Sequence, residues 1–222
     1  MTVTDLRRNS EWFFGATQRV LRVWLIVGAG ALAIGVGLAA LGPAFGLLPL
    51  PYRLALVDER LPVIFRLHMA ASGLGLLLLP LVLAARRRPG LHRPLGIAAA
   101  TAFTLGVAAS LPSALASDAE PLARAGFFTQ GLLAMSCLLA GLWAGRRRFE
   151  LHRAAMASLA AIVCGAIVLR LMLYAVISLR FPFETSYTAI AWASWLLPLT
   201  ILWISPLMRR ARCAISACGS PA

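Results

Sequence analysis

The sequence predicts an all-α fold, a polytopic membrane helix bundle with six transmembrane helices. Three observations carry that expectation. Of the 222 residues, 60% are hydrophobic, and the mean hydropathy is +0.83. Only 13% are charged, against about 25% in a soluble domain of ordinary composition. The apolar residues also fall into six runs, each near the roughly 20 residues that a spanning helix needs. In water such a surface would expose large apolar patches, whereas lipid solvates the outer face of each helix.

The runs cover roughly residues 20–41, 61–85, 94–116, 125–145, 154–178 and 187–208. Turn-forming or charged residues punctuate them: Gly42-Pro43, residues 86–90, 117–121 and 146–153, and Phe181-Pro182. The first run follows Arg7, Arg8, Arg19 and Arg22 and is long enough to span, so it reads as an uncleaved helix rather than a signal peptide. The chain therefore divides into a cytoplasmic N-terminal segment (1–19), a six-helix transmembrane domain (20–208) and a cytoplasmic tail (209–222). Residues 10–19 set Trp12, Phe13 and Phe14 beside Glu11, Gln18 and Arg19. They read either as an amphipathic helix at the headgroups or as an extension of the first span. Residues 42–60 are long for a bundle connection and mix apolar with polar side chains, which predicts a re-entrant or interfacial lid.

All 21 basic residues are arginine, and the formal net charge is +13. The arginines sit in short clusters between apolar runs, so their expected partners are the bilayer and its anionic headgroups, worth about 1 kcal/mol per arginine near the surface, and not nucleic acid. With the N-terminus inside, the inner segments hold Arg7, Arg8, Arg19, Arg22, Arg86, Arg87, Arg88, Arg93, Arg146, Arg147, Arg148, Arg153, Arg209, Arg210 and Arg212. The outer segments hold Arg53, Arg60, Arg66, Arg124 and Arg180, balanced by Asp58, Glu59, Asp118, Glu120 and Glu184. The positive-inside rule then places both termini in the cytoplasm of a bacterial inner membrane. Cys137 and Cys164 fall inside spans, and Cys213 and Cys218 in the tail. Their spacing matches neither a disulfide framework nor a metal site.

One segment recurs. Residues 83–93 end in Arg86-Arg87-Arg88-Pro89-Gly90-Leu91-His92-Arg93, and residues 143–153 end in Arg146-Arg147-Arg148-Phe149-Glu150-Leu151-His152-Arg153. Each copy closes one span, turns and opens the next. The second and third spans (about 61–116) and the fourth and fifth (about 125–178) are therefore expected to be two parallel copies of one hairpin, forming the core, with the first and sixth spans outside. Small residues at Ala29, Ala33 and Gly37 in the first span, and at Ala71 and Gly75 in the second, provide faces for close helix approach.

The copies differ where polar groups appear. His68 aligns with Phe128, Gln130 with Ala70, and Arg170 with Ser110. At 1.5 Å per residue, His68 and Arg170 lie about 26 Å, and Gln130 about 23 Å, from the inner ends of their spans. In a hydrocarbon core about 30 Å thick they share one outer-side layer, with Ser72 and Ser110 nearby and Tyr174 one turn from Arg170. A charge at that depth costs energy unless it is paired, hydrated or employed, so His68, Gln130, Arg170 and Tyr174 form the candidate ligand-binding set. The competing expectation for Arg170 is snorkelling toward the outer headgroups. No acidic residue lies within a span to pair with it, so an anion would suit it. The repeated His92 and His152 read as interfacial turn residues or, more sharply, as axial ligands of one haem b.

The run His68…Gly73…Arg88-Pro89-Gly90-Leu91-His92-Arg93-Pro94-Leu95-Gly96, followed by His152-Arg153-Ala154-Ala155-Met156, resembles the bacterial predicted-membrane-protein family known as domain of unknown function 2306. The resemblance covers the second to fifth spans. It implies a multi-pass membrane protein and transfers no activity. A more distant resemblance is to cytochrome b561-type bundles, which hold haem between helices with His pairs at both membrane sides. Three histidines, no two in one span, depart from that pattern and leave room for one haem at most.

Three functions follow as expectations. One is binding or transport of a small or anionic ligand at the outer-side polar pocket. Another is a single-haem b redox membrane protein. The third is a non-catalytic scaffold or assembly factor. No hydrolase triad, P-loop, dinucleotide fingerprint or metalloprotease motif is present, and no catalytic or metal-ligating residue is assigned.

Overall fold

The structure, a computed structural model, describes residues 27–145 and 147–218, with side chains through residue 204. The expectations for residues 1–19 and for the last four residues lie outside the described residues. Helix α1 is described over Val27–Ala44. It is followed by α2 (Tyr52–Arg60), α3 (Pro62–Ala84), a 3-10 turn (Ala85–Arg87), α4 (Pro89–Ala116), α5 (Pro121–Ala144), α6 (Phe149–Ser178) and α7 (Phe183–Cys218). Six of these, all but α2, are long and apolar enough among the described residues to cross a membrane. The fold is all-α.

The helices begin earlier than apolarity alone predicts. Pro62, Pro89 and Pro121 open α3, α4 and α5. Proline suits the first turn because its missing N–H is one that has no intrahelical partner there, and its fixed φ is already helical. The sequence reading began the third and fourth spans at residues 94 and 125, after the last charge, and so missed the first turn of each. The last helix likewise runs on past residue 208 to Cys218, into the expected tail.

Consecutive helices pack as antiparallel neighbours: α3 on α4, α4 on α5, and α5 on α6. A central cluster joins Ala99, Phe103 and Val107 of α4, Ala134 and Leu138 of α5, Leu159 and Ile162 of α6, and Trp195 of α7. Leu78, Leu79 and Val82 of α3 pack against it. The sixth span was expected outside the core, and here the structure differs. Helix α7 packs on both α5 and α6 and buries Ile190, Ala191, Ser194 and Trp195. Its small faces permit this. A Cβ on Gly165 would stand 3.1 Å from the Trp195 Cα, and one on Gly126 would stand 3.0 Å from the Trp192 Nε1. Helix α1 lies on α3 through Gly37 and Gly73. Gly75 gives a close approach on another side of α3, to Phe103 of α4.

The two turns at the basic end are built alike. Arg88 and Arg148, sixty residues apart, are the N-cap residues of α4 and α6, each without a side-chain cap. The paths into them differ: the first runs through the 3-10 turn, the second through Gly145 at φ +43°, where a side chain would be strained. The opposite end of the bundle carries α2 and the acids, and is called here the lid end.

Candidate functional site

His68 sits half-buried on α3 and turns its ring toward α4. Its Nδ1 lies 2.8 Å from the Gly106 carbonyl oxygen, with the Ser72 hydroxyl 3.3 Å from the same nitrogen. A carbonyl only accepts, so Nδ1 carries the proton and Nε2 keeps the lone pair of a neutral imidazole. The close approach depends on glycine. A Cβ at Gly106 would stand 2.9 Å from the Ser72 backbone nitrogen.

Arg170 lies on the face of α6 that also carries Leu159, Val163 and Ala166, at spacings of four, seven and eleven residues. Leu159 and Val163 belong to the central cluster, so this face looks into the bundle. The Arg170 guanidinium donates from Nη1 to the Ala166 carbonyl at 2.9 Å. That contact lies one turn back along the helix, away from the lid end. Helical side chains lean toward the N-terminus of their helix, and Arg170 follows that lean rather than reaching for the headgroups beyond Ser178. Arg170 itself is exposed. No carboxylate contacts it among the described residues.

Both helices feed the central cluster, through Leu78, Leu79 and Val82 of α3 and Leu159, Ile162 and Val163 of α6. Ile64 of α3 and Tyr174 of α6 are exposed.

The remaining members of the expected set fall elsewhere. Gln130 shares the depth but not the direction. Its Nε2 donates to the Ile162 carbonyl at 3.1 Å, and it lies against Gly165 in the α5–α6–α7 interface. Tyr174 is 75% exposed. Ser110 donates to its own helix at Val107 and packs toward Gly131 of α5. His92 and His152 are each engaged within their own hairpin. His92 Nδ1 lies 3.2 Å from the Val82 carbonyl, and His152 Nδ1 lies 2.8 Å from the Gly141 carbonyl. Each thus ties a carbonyl in the last turn of the preceding helix to the first turn of the next; the Gly141 carbonyl also accepts from the Gly145 N–H. Helices α4 and α6, which carry the pair, do not pack on each other, while both pack on α5.

The lid end has a feature that sequence reasoning did not find. Residues 42–60 were expected to form a re-entrant or interfacial lid, and α2 lies across that end of the bundle. Val57 buries against Ala44, Phe65 and Met69. Arg53, at the start of α2, pairs with Glu184 and stands over the Phe183 ring, both in the first turn of α7. Arg60, at its end, donates to the Ala116 carbonyl at 2.6 Å and pairs with Asp118 at 2.6 Å. Asp58 takes Arg66 of α3 at 2.8 Å. The equal numbers of arginines and acids on this side were the only sequence signal, and they showed neutrality without showing partners.

The fold defines a multi-pass membrane protein with an arginine, Arg170, within one of its spans. Residues 65–205 match the family described as predicted membrane protein, domain of unknown function 2306, and the chain belongs to that family. The match runs from α3 to α7, covering His68, Arg170 and the central cluster. No curated protein and no solved structure matches the chain.

Proposed function

We propose that this protein binds an anionic ligand at Arg170, which serves as the charge anchor. One observation carries the reading: the Arg170 guanidinium, within the α6 span, bonds back to the Ala166 carbonyl and has no carboxylate in contact among the described residues. A cation within a span is destabilising unless something neutralises it, and an anion bound there does so. On this reading the lid end faces outward from a bacterial inner membrane, the arginine-rich turns meet anionic headgroups on the cytoplasmic side, and both termini are cytoplasmic. The two hairpins are copies of one unit. The second gained Arg170 where the first has Ser110, and the first has His68 where the second has Phe128.

The test is native mass spectrometry of the full chain released from mild detergent. Wild-type protein should carry a bound anionic species that Arg170→Gln lacks and Arg170→Lys retains at reduced occupancy. Equal occupancy in wild type and Arg170→Gln, or no bound species in wild type, counts against the assignment.

A further inference from the structure

We infer that the turn between α5 and α6 binds the phosphate of an anionic phospholipid headgroup, held by Arg147 and Arg148 beside the Trp143 ring. The inference does not rest on Arg170, which stands 22 residues beyond Arg148 on α6, about 33 Å away at the usual helical rise. A partly enclosed cavity of about 160 Å³ lies at this turn, lined by Trp143, Ala144, Arg147 and Arg148. It has room for a phosphate group and a few waters. Trp143 is 67% exposed at the end of a helix long and apolar enough to span, the level at which tryptophan settles between lipid and water.

The charge at this cavity is unanswered and its geometry is set in advance. Among the described residues no carboxylate pairs with Arg147 or Arg148, and Glu150, the acid in the first turn of α6, is taken by Arg153 at 2.7 Å. The backbone N–H groups of Arg147 and Arg148 both donate to the Ala144 carbonyl at 3.1 Å, so the two side chains leave from a closed turn. The Arg148 guanidinium lies over the Trp143 ring, 4.7 Å from its centroid. Stacking occupies the face of the guanidinium and leaves the N–H fork at its edge free for phosphate oxygens. Arg148 is also the N-cap of α6, where the helix end adds partial positive charge.

The twin turn, sixty residues earlier, shows what the ring and the glycine add. It keeps Arg87 and Arg88, but Leu83 stands in place of Trp143. Ala85 replaces Gly145 and stays right-handed at φ −77°, so the chain winds on into the 3-10 turn, whereas Gly145 at φ +43° ends α5. The two turns carry like charge at the same end of the bundle and differ in shape, and that difference separates a site from a merely basic surface. A lipid phosphate is already confined to the plane in which the cavity lies, where basic residues attract it.

The twin turn supplies the control. Native mass spectrometry of the full chain in mild detergent reads the dissociation constant of the first bound molecule for three probes: phosphatidylglycerol, phosphatidylcholine of the same acyl chains, and glycerol phosphate. Phosphatidylglycerol should bind wild type about tenfold or more tightly than either other probe. Arg147→Gln/Arg148→Gln should weaken it about tenfold or more, as loss of charge-assisted contacts does, and Trp143→Leu about threefold, as loss of an exposed cation–π contact does. Arg87→Gln/Arg88→Gln removes the same charge from the twin turn and should leave the constant within about twofold, as should Arg170→Gln. Equal weakening by the two double variants makes the turn part of a basic surface and overturns the site. So does phosphatidylglycerol that fails to bind wild type, or that binds Arg147→Gln/Arg148→Gln as well as wild type. If glycerol phosphate matches phosphatidylglycerol and both depend on Arg147 and Arg148, the lipid source is overturned and a free phosphate takes its place. Loss of phosphatidylglycerol in Arg170→Gln alone overturns this site and supports the anion site at Arg170. The melting temperature of each lipid-free variant distinguishes lost binding from lost fold.

Discussion

Gly37 of α1 and Gly73 of α3 face each other so closely that a Cβ on either would stand 2.8 Å from the other's carbonyl oxygen. Backbone meets backbone there, and no side chain can turn aside. Helices in lipid associate through packing rather than hydrophobic exclusion, which makes such contacts count. Gly73→Ala should force α1 away from α3 and destabilise the protein by about 1–3 kcal/mol, the usual range for overpacking. Unfolding titrations in mixed micelles would read this directly. A wild-type midpoint in Gly73→Ala would mean that α1 is not held where the structure places it.

Gly141 offers the contrast. A Cβ there would also collide, but with the terminal methyl of Met156. Methionine is unbranched and repacks at low cost. Gly141→Ala is therefore expected to cost less than about 1 kcal/mol, and Gly→Ala within a helix recovers part of that through propensity. The two substitutions are chemically identical, so the difference between their midpoints measures what stands opposite each glycine.

His92 and His152 should behave as independent turn residues. Each donates Nδ1–H to a carbonyl of the helix before it, and a net hydrogen bond is worth about 1 kcal/mol. His92→Phe and His152→Phe should each lower stability by about that much. The double variant should lose close to the sum, since distant sites add. Anion binding at Arg170 should be unchanged. A shared haem makes the opposite prediction: an absorption spectrum of wild type with a Soret band, abolished by either single substitution.

Sequence reasoning read the spans well because each is specified by its own composition. Direction around the helix was not legible. Gln130 lies at the same depth as His68 yet looks into the α5–α6–α7 interface, because depth fixes one coordinate and packing fixes the other. The place of α7 was missed for a related reason. Its contribution comes from small residues on partners, Gly126 and Gly165, that admit Trp192 and Trp195, and those pairings cross 66 and 30 residues of sequence. The ion pairs of α2 were beyond reach altogether, since Arg53 finds Glu184 131 residues away.

Helix α2 is expected to open without the bundle unfolding. Val57 is its buried residue, and its ties to the bundle include exposed ion pairs, each worth at most about 1 kcal/mol. Glu184→Gln should thus shift the global midpoint by less than about 1 kcal/mol and still raise amide exchange across residues 52–60, as local opening does. The effect should shrink when salt already screens the pair. Exchange of α2 as slow in Glu184→Gln as in wild type would show that Val57 and its neighbours, rather than the Arg53–Glu184 pair, hold the lid.

Arg170 should be a residue that the empty protein would be more stable without. An unneutralised arginine costs about 2.5 kcal/mol at the centre of a span on insertion scales and less toward the end where Arg170 lies, and its bond to the Ala166 carbonyl offsets part of that. Arg170→Leu keeps the apolar stem and removes the charge, so its apo form should unfold at higher denaturant than wild type, by about 1–2 kcal/mol after allowance for the lost hydrogen bond. Saturating anionic ligand should then reverse the order, because it stabilises wild type and has nothing to pair with in the variant. That crossover separates a binding residue from a structural one. If Arg170→Leu is less stable than wild type both empty and loaded, the guanidinium is a strut on α6, and its bond to the Ala166 carbonyl is structural.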